Sequence, residues 1–292
     1  MRLSALSRLT SIGWKIECES QNGRRAIRSK LIWNTCMKQS RVKEIWKNGG
    51  IALGTLVKSI DPVHSEALSQ MDFDFLWYDL EHSDKSVETF SNLARASRVG
   101  NVDILARPAR WEYMRMGRLL EAGAAGILYP RCESAEEAKE VVRWSKFHPL
   151  GERGFDGGNA DNNYGSYPAG DYTKAANDTT WIVAQIESPR ALENVDEIVA
   201  VEGVDCVFFG PGDYSALTGR PGDIRGQQTL DAAKQTAAAT LAAGKVFGTL
   251  VFEKEHAEFM KDIGARMLVV GADIIYYKEA YSSLLDSYSD FR

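Results

Sequence analysis

Cysteine is scarce in this 292-residue chain: Cys18, Cys36, Cys132 and Cys206 lie far apart, with no CxxC spacing. That excludes a disulfide scaffold and makes a reducing compartment the default. Cys206 falls in a strand-like run and reads as a core thiol. Cys132 has no histidine placed to activate it, so a cysteine nucleophile is not expected. No uninterrupted apolar run approaches the ~20 residues that a membrane helix needs. There is no internal repeat beyond a β-α unit and no low-complexity segment. Positive charge is also sparse over most of the chain. Residues 1–48 hold 11 Lys and Arg against 3 Asp and Glu, which leaves 24 against 37 for the remainder. A body that acidic argues against a nucleic-acid surface. Neither nucleic acid nor membrane is an expected partner.

What is present begins with a stretch unlike the rest. Met1 to Lys15 carries Arg2, Arg8 and Lys15, three serines and no acid, with Leu3, Leu6, Leu9 and Ile12 at helical spacing. This is compatible with an organellar presequence, and equally with a disordered extension or a misassigned start. The expected compartment is the cytoplasm, with the mitochondrion as the alternative that this start allows. Residues 1–40 are set apart as an extension, and 41–292 as one domain.

From Arg41 the pattern is regular. A short helix over 41–48 is closed by Gly49-Gly50. Strands are expected at 51–57, 75–80, 103–106, 126–129, 181–186, 204–209, 245–251 and 266–270. Helices are expected at 62–70, 86–98, 112–121, 134–146, 191–201, 228–243, 255–263 and 276–288. Ser134 and Glu137 fit a capping box. Residues 149–180, rich in glycine, and 213–226 read as irregular, and a loop that long is usually functional. Eight strands alternating with helices imply a (β/α)8 TIM barrel with an extra N-terminal helix.

A barrel carries its chemistry at the carboxyl ends of its strands, and polar residues accumulate there. They are Asp79, Glu81 and His82 after the second strand, Arg107 after the third, Arg131 after the fourth, Gln185 and Glu187 at the fifth and Asp213 after the sixth. Glu187 and Asp213, each ending an apolar run, offer oxygen ligands suited to Mg²⁺ or Mn²⁺; paired with arginines, they would instead be structural. His82 is either a structural hydrogen-bonding residue or, with one ring nitrogen held by a carboxylate, a proton carrier. Arg107 is a surface cation or a group for a carboxylate or developing enolate. Trp77 is core or pocket wall. His64, His148 and His256 read as surface residues. The glycines of 151–158 would bring amides to an anion or form a flexible lid.

These residues resemble the HpcH/HpaI aldolase family of metal-dependent (class II) pyruvate aldolases, which includes hydroxy-oxo-heptanedioate aldolase. The resemblance covers roughly 41–285. It rests on the run Phe73 to His82, on Arg107-Pro108, Leu120-Glu121-Ala122-Gly123-Ala124, Gly151-Glu152-Arg153-Gly154, Gln185-Ile186-Glu187, and Val201 to Asp205 running on to Gly210-Pro211-Gly212-Asp213.

It implies a divalent-metal-dependent carbon–carbon lyase that reversibly cleaves a 4-hydroxy-2-oxo acid to pyruvate and an aldehyde through a metal-bound pyruvate enolate. Glu187 and Asp213 would be the metal ligands. Amides around Gly212 and Asp213 would hold the substrate carboxylate, with Gln185 beside the metal and Trp77 at the substrate pocket. Arg107 would stabilise the enolate oxygen. His82, oriented by Asp79, would serve proton transfer, and Glu121 would act from a neighbouring subunit. The last helix would be exchanged between subunits of a hexamer.

The sequence departs from the bacterial members at two positions, with Glu121 for Asp and Gly212 for Ala. Gly210-Pro211-Gly212-Asp213-Tyr214, with Trp77 before Asp79, is closer to macrophomate synthase, which decarboxylates oxaloacetate and traps the enolate. Arg131 replaces a His of that enzyme, which counts against pyrone chemistry. Oxaloacetate decarboxylation and a non-catalytic 2-oxo acid-binding barrel are the alternatives. The segment 155–175 would face the acceptor and set substrate choice.

Overall fold

The expected strands form and close into a barrel of eight parallel strands in sequence order. The computed structural model describes residues 39–291, so the leader expected over 1–35 lies outside the described residues. Helix α1 (Arg41–Lys47) precedes β1 (Ala52–Val57), α2 (Pro62–Ser69), β2 (Phe75–Asp79), α3 (Val87–Ser97), β3 (Asp103–Arg107) and α4 (Tyr113–Ala122). Then come β4 (Gly126–Tyr129), α5 (Ala135–Ser145), α6 (Ala169–Thr179), β5 (Trp181–Ile186), α7 (Pro189–Glu193) and α8 (Val195–Val199). The chain continues through β6 (Cys206–Phe209), α9 (Pro211–Leu217), α10 (Gln227–Ala242), β7 (Val246–Val251), α11 (Lys254–Asp262), β8 (Ala265–Ala272) and α12 (Asp273–Ser287).

Three stretches differ from expectation. Helix α6 forms inside the segment read as irregular. It buries only Tyr172 and Ala176, one i,i+4 pair packed on Phe147, which is too little periodicity to read from sequence. The helix expected over 191–201 is two short ones meeting at Asn194, whose side-chain amide donates to the Glu133 carbonyl at 2.8 Å. The stretch opening at Asp213 begins helical: α9 starts at Pro211 and carries Asp213 in its first turn. The capping expected at α5 is half reciprocal. Ser134 Oγ accepts from the Glu137 amide, but the Glu137 carboxylate returns to the amide of Glu133.

Alternation along the strands sorts the core into two layers. Leu56, Phe75, Trp77, Leu105, Leu128, Trp181, Val183, Cys206, Phe208, Met267 and Val269 fill the barrel. Leu76, Tyr78, Ile104, Ile127, Tyr129, Ile182, Ala184 and Val207 pack outward against the helices. Small residues make room for the interior rings. Gly126 stands in register with Trp181, and a Cβ there would lie 2.5 Å from the indole.

The amino-terminal end of the barrel is closed by α1. Ser40 Oγ and the Val42 amide both donate to Asp103, Arg41 pairs with Asp74 at 2.7 Å, and Lys43 with Asp205 at 3.1 Å. The extra helix read from the sequence is therefore a plug, which leaves the carboxyl end as the open face. Among the described residues no helix is long and apolar enough to cross a membrane.

Candidate active site

Following the interior alternation past the last core layer leads to the polar residues. Two residues beyond Leu56 is Lys58, beyond Trp77 is Asp79 and beyond Leu105 is Arg107. Beyond Val183 come Gln185 and then Glu187, and beyond Phe208 comes Gly210. They form one top layer at the carboxyl ends of β1, β2, β3, β5 and β6, where barrels of this kind carry their chemistry.

Asp79 and Arg107 are partners in strand register and in charge. Arg107 Nε donates to Asp79 Oδ1 at 2.9 Å and a terminal nitrogen to Oδ2 at 2.8 Å, a bidentate pair with both residues buried. Burial alone would raise the Asp79 pKa, but Arg107 and then Lys58 hold it well below the ordinary carboxylate range. Lys58 Nζ lies 2.9 Å from Asp79 Oδ2. The remaining Arg107 nitrogen donates to Gln185 Oε1 at 3.3 Å, and the guanidinium carbon lies 4.7 Å from the centre of the Trp77 ring. Trp77 is thus pocket floor, 2% exposed, edge-on to Phe208.

Glu187 is 1% exposed and receives one hydrogen bond, from the Arg131 amide at 2.8 Å. Burial, and then Asp213 and Glu81 against the opposing pull of Arg107, push its carboxyl up to about 8. A carboxylate that is buried, crowded by two others and short of donors is under-compensated by Arg107, whose fork is already committed to Asp79. Glu81 Oε2 is likewise buried with no hydrogen bond, although Arg107 Nε lies 3.3 Å away. Gly210 matters here because a Cβ would fall 2.5 Å from Glu187 Oε2 and 2.7 Å from Gln185 Nε2. Only glycine lets both side chains lie over the end of β6. Asp213 stands in the first turn of α9, whose leading amides have no partner within the helix. Gly212 is open, with nothing within 4 Å of a built Cβ, so the alanine of other sequences would fit equally well.

This donor set fits a hard divalent cation: all oxygen, one carboxylate just past β5 and one in the first turn of α9 after β6, and an excess of negative charge. Among the described residues no three of His, Cys, Asp and Glu gather as a closed ligand cage. Two protein carboxylates with the other positions left to water and substrate is a common Mg²⁺ arrangement.

Several expectations need correction. Asp79 does not orient the His82 imidazole. Its carboxylate is committed to Arg107 and Lys58 and reaches His82 only through the backbone amide, at 3.3 Å. The imidazole instead stands 58% exposed at the rim, with Nε2 3.6 Å from Glu81. Glu121, expected to act on the site of a neighbouring subunit, is near the carboxyl end of α4 with Asn159, Ala160 and Tyr164 at the amino-terminal side, away from this layer of its own chain, which is no conflict with that expectation. The segment 155–168 lies there too. It is pinned by Arg153, Asp161 and Tyr172 beside a cavity of about 510 Å³ lined by Val102, Ala125 and Thr180. It does not face the site of its own chain. Gly151 cradles no anion: a Cβ there would strike the carbonyls of Lys146 and Arg143, so it serves close packing. His256 is buried, and His64 Nε2 meets Asp273 at 3.1 Å, so neither is a plain surface residue. The thiols of Cys132 and Cys206 are buried and pushed up by desolvation, which agrees with their reading as inert.

Lys58 and Lys85 were missed. The signal for Lys58 was present, since it continues the Gly54, Leu56 alternation of β1. Lys85 is 4% exposed and donates to the Lys58 carbonyl at 3.0 Å, and no spacing in the loop after β2 marks it.

The family model described as HpcH/HpaI aldolase/citrate lyase matches residues 53–280. The chain belongs to this family. It is 34% identical over 228 residues to a hydroxypyruvate/pyruvate aldolase of Delftia acidovorans, covering 78% of this chain and 84% of that protein. It is 31% identical to a 2-keto-3-deoxy-L-rhamnonate aldolase of Klebsiella pneumoniae, covering 80% and 86%. The crystal structure of an HpcH/HpaI aldolase from Desulfitobacterium hafniense superposes with a TM-score of 0.80 at 27% identity, covering 84% and 95%. The chain is therefore an enzyme of the aldolase class, a carbon–carbon lyase.

Proposed function

We propose that this lyase depends on a divalent cation, Mg²⁺ or Mn²⁺, and cleaves a 4-hydroxy-2-oxo acid to pyruvate and an aldehyde. The observation that carries the reading is Glu187: a fully buried carboxylate beside Asp213 and Glu81 at the barrel mouth, whose charge Arg107, two strands away on β3, offsets only in part. Glu187 and Asp213 would hold the cation, which supplies Lewis-acid stabilisation where negative charge gathers on the keto oxygen.

The chain's own groups do the rest. Arg107 is fixed by the Asp79 fork before substrate arrives, so its charge meets the developing oxyanion without reorganisation. The first-turn amides of α9 at Gly212 and Asp213 would take the substrate carboxylate. His82, at the solvent rim beside Glu81, would move the proton of the acceptor hydroxyl. Trp77 closes the floor against water.

Pyruvate release from a panel of 4-hydroxy-2-oxo acids and oxaloacetate, with Mn²⁺ or Mg²⁺ and with chelator, tests this. Release that stops in chelator and returns with the ion is expected. Release indifferent to chelator removes the metal from the account. Oxaloacetate turnover alone would replace aldol cleavage with decarboxylation.

Assembly follows the same reading. No residue of α12 is buried, and Ile274, Tyr277, Tyr281, Leu284 and Leu285 are exposed along it. An apolar helix that long is proposed to pack on a second copy of the chain, in a homo-oligomer that family resemblance makes a hexamer. Sedimentation should give a multiple of the 32.4 kDa chain; a monomer at micromolar concentration would contradict it.

A further inference from the structure

Several ion pairs of this acidic chain set one arginine against two acids: Arg110 against Glu133 and Glu137, Arg143 against Glu140 and Glu152, Arg41 against Asp72 and Asp74. Asp79 reverses that ratio. It is fully buried and pairs with two cations, Arg107 and Lys58. Hydrogen bonding alone does not call for the second. A carboxylate has about four acceptor sites. Asp79 Oδ1 already accepts from Arg107 Nε at 2.9 Å and from the amides of Glu81 and His82 at 3.1 and 3.3 Å. Its Oδ2 accepts from a terminal Arg107 nitrogen at 2.8 Å. What Lys58 adds is charge.

The lysine is built into the top layer of the barrel. Its amide and that of Ser59 donate to the two Asp273 oxygens, at the start of α12, at 2.9 and 3.0 Å. Its carbonyl accepts from Lys85 Nζ at 3.0 Å, and Lys85 is itself 4% exposed. Its ammonium donates to Asp79 Oδ2 at 2.9 Å and to the His82 carbonyl at 3.4 Å. Backbone and side chain are thus both fixed before any ligand arrives. Arg107, in turn, is outnumbered: besides the Asp79 fork it lies 3.3 Å from Glu81, so two carboxylates stand against one guanidinium. An arginine in that position attracts a developing oxyanion weakly.

We propose that Lys58 is a positioning residue for the lyase reaction: its ammonium balances part of the Asp79 charge and so leaves the Arg107 guanidinium with a positive field toward the substrate oxygen. The inference rests on the lyase reading above and deepens it. Lys58 acts through Asp79 and Arg107 and touches no reacting atom. Its charge also opposes the gathering of a cation by Glu187 and Asp213 in the same layer. Turnover and ion affinity therefore respond to Lys58 with opposite sign. A lysine that only held the fold together would move both in the same direction when removed.

The test uses three variants. Lys58→Met removes charge and donor, Lys58→Gln keeps a donor without charge, and Lys58→Arg keeps both. The Met and Gln variants should each lower kcat for pyruvate release about 10-fold with little change in KM, the size of one charge acting through a neighbour. Lys58→Arg should stay well ahead of Lys58→Gln. Titration of Mn²⁺, read without turnover, should show the Met and Gln variants binding the ion about two- to fivefold more tightly than the wild-type chain. An unchanged kcat in Lys58→Met, a Gln variant that equals or exceeds the Arg variant, or ion affinity that falls along with turnover overturns the inference. Exchange of pyruvate methyl protons in D₂O with Mn²⁺, which needs no aldehyde, keeps the two readings apart. Absence of exchange in the wild-type chain removes the lyase reading and this one with it. Exchange in the wild-type chain that Lys58→Met leaves unchanged removes this one alone.

Discussion

Arg107→Met should lower kcat/KM for pyruvate release by about 10²–10³-fold, the usual effect of removing one preorganised oxyanion donor. The loss should fall mainly on kcat, because Arg107 acts where charge appears during bond cleavage rather than on the resting substrate. The same substitution should destabilise the fold. Asp79 is fully buried, and Arg107 supplies two of its charged hydrogen bonds. Breaking one side of such a pair costs about 3–5 kcal/mol, moderated here by Lys58, which stays 2.9 Å from Asp79. Asp79 has its pKa depressed, so its contribution is present above the ordinary carboxylate value and is lost as pH falls below it. Arg107→Lys keeps the charge but not the fork, and should recover stability more than rate. Steady-state kinetics with urea melts on both variants check this. A kcat within threefold of the parent would remove Arg107 from the chemistry.

Glu187→Gln should abolish pyruvate release while making the metal-free protein more heat-stable. The folded carboxyl has a pKa of about 8, against an ordinary 4.5. The folded chain thus keeps a proton that the unfolded chain releases in that window. Stability from this group is full below 4.5 and is lost as pH rises through 8. Glutamine carries no charge to bury and still offers an oxygen to the Arg131 amide. The variant's melting temperature should therefore exceed that of the metal-free parent by ~5 °C at pH 8.5, with the gap closing near pH 5. Divalent ion should raise the parent's melting temperature and leave the variant's unchanged. Calorimetry across pH reads all three. A variant less stable than the parent at pH 8.5 would mean that Glu187 is a satisfied structural carboxylate.

The fold was legible because a parallel barrel writes itself as apolar runs at regular intervals; β4 and β5 fall on the residues expected. Helices α6 and α9 were not legible. The first buries one i,i+4 pair, and the second is a single seven-residue piece opening on Pro211 and Gly212. The site was legible where strand alternation ends in a polar residue, as at Asp79, Arg107, Gln185 and Glu187. Sequence could not say which carboxylate takes which cation, because all of them converge within one layer. Asp79 belongs to Arg107 and Lys58, which leaves His82 to Glu81. Nor could it assign loops to faces: residues 155–168 run to the closed end through the Arg153–Asp161 pair, eight residues apart in the chain.

The central claim is that Glu187 and Asp213 together gather one divalent ion, and direct titration of Mn²⁺ followed by electron paramagnetic resonance reads it without turnover. One ion per wild-type chain is predicted, with affinity lost in Glu187→Ala and in Asp213→Ala and kept in His82→Ala. Binding undiminished in either carboxylate variant would contradict the account.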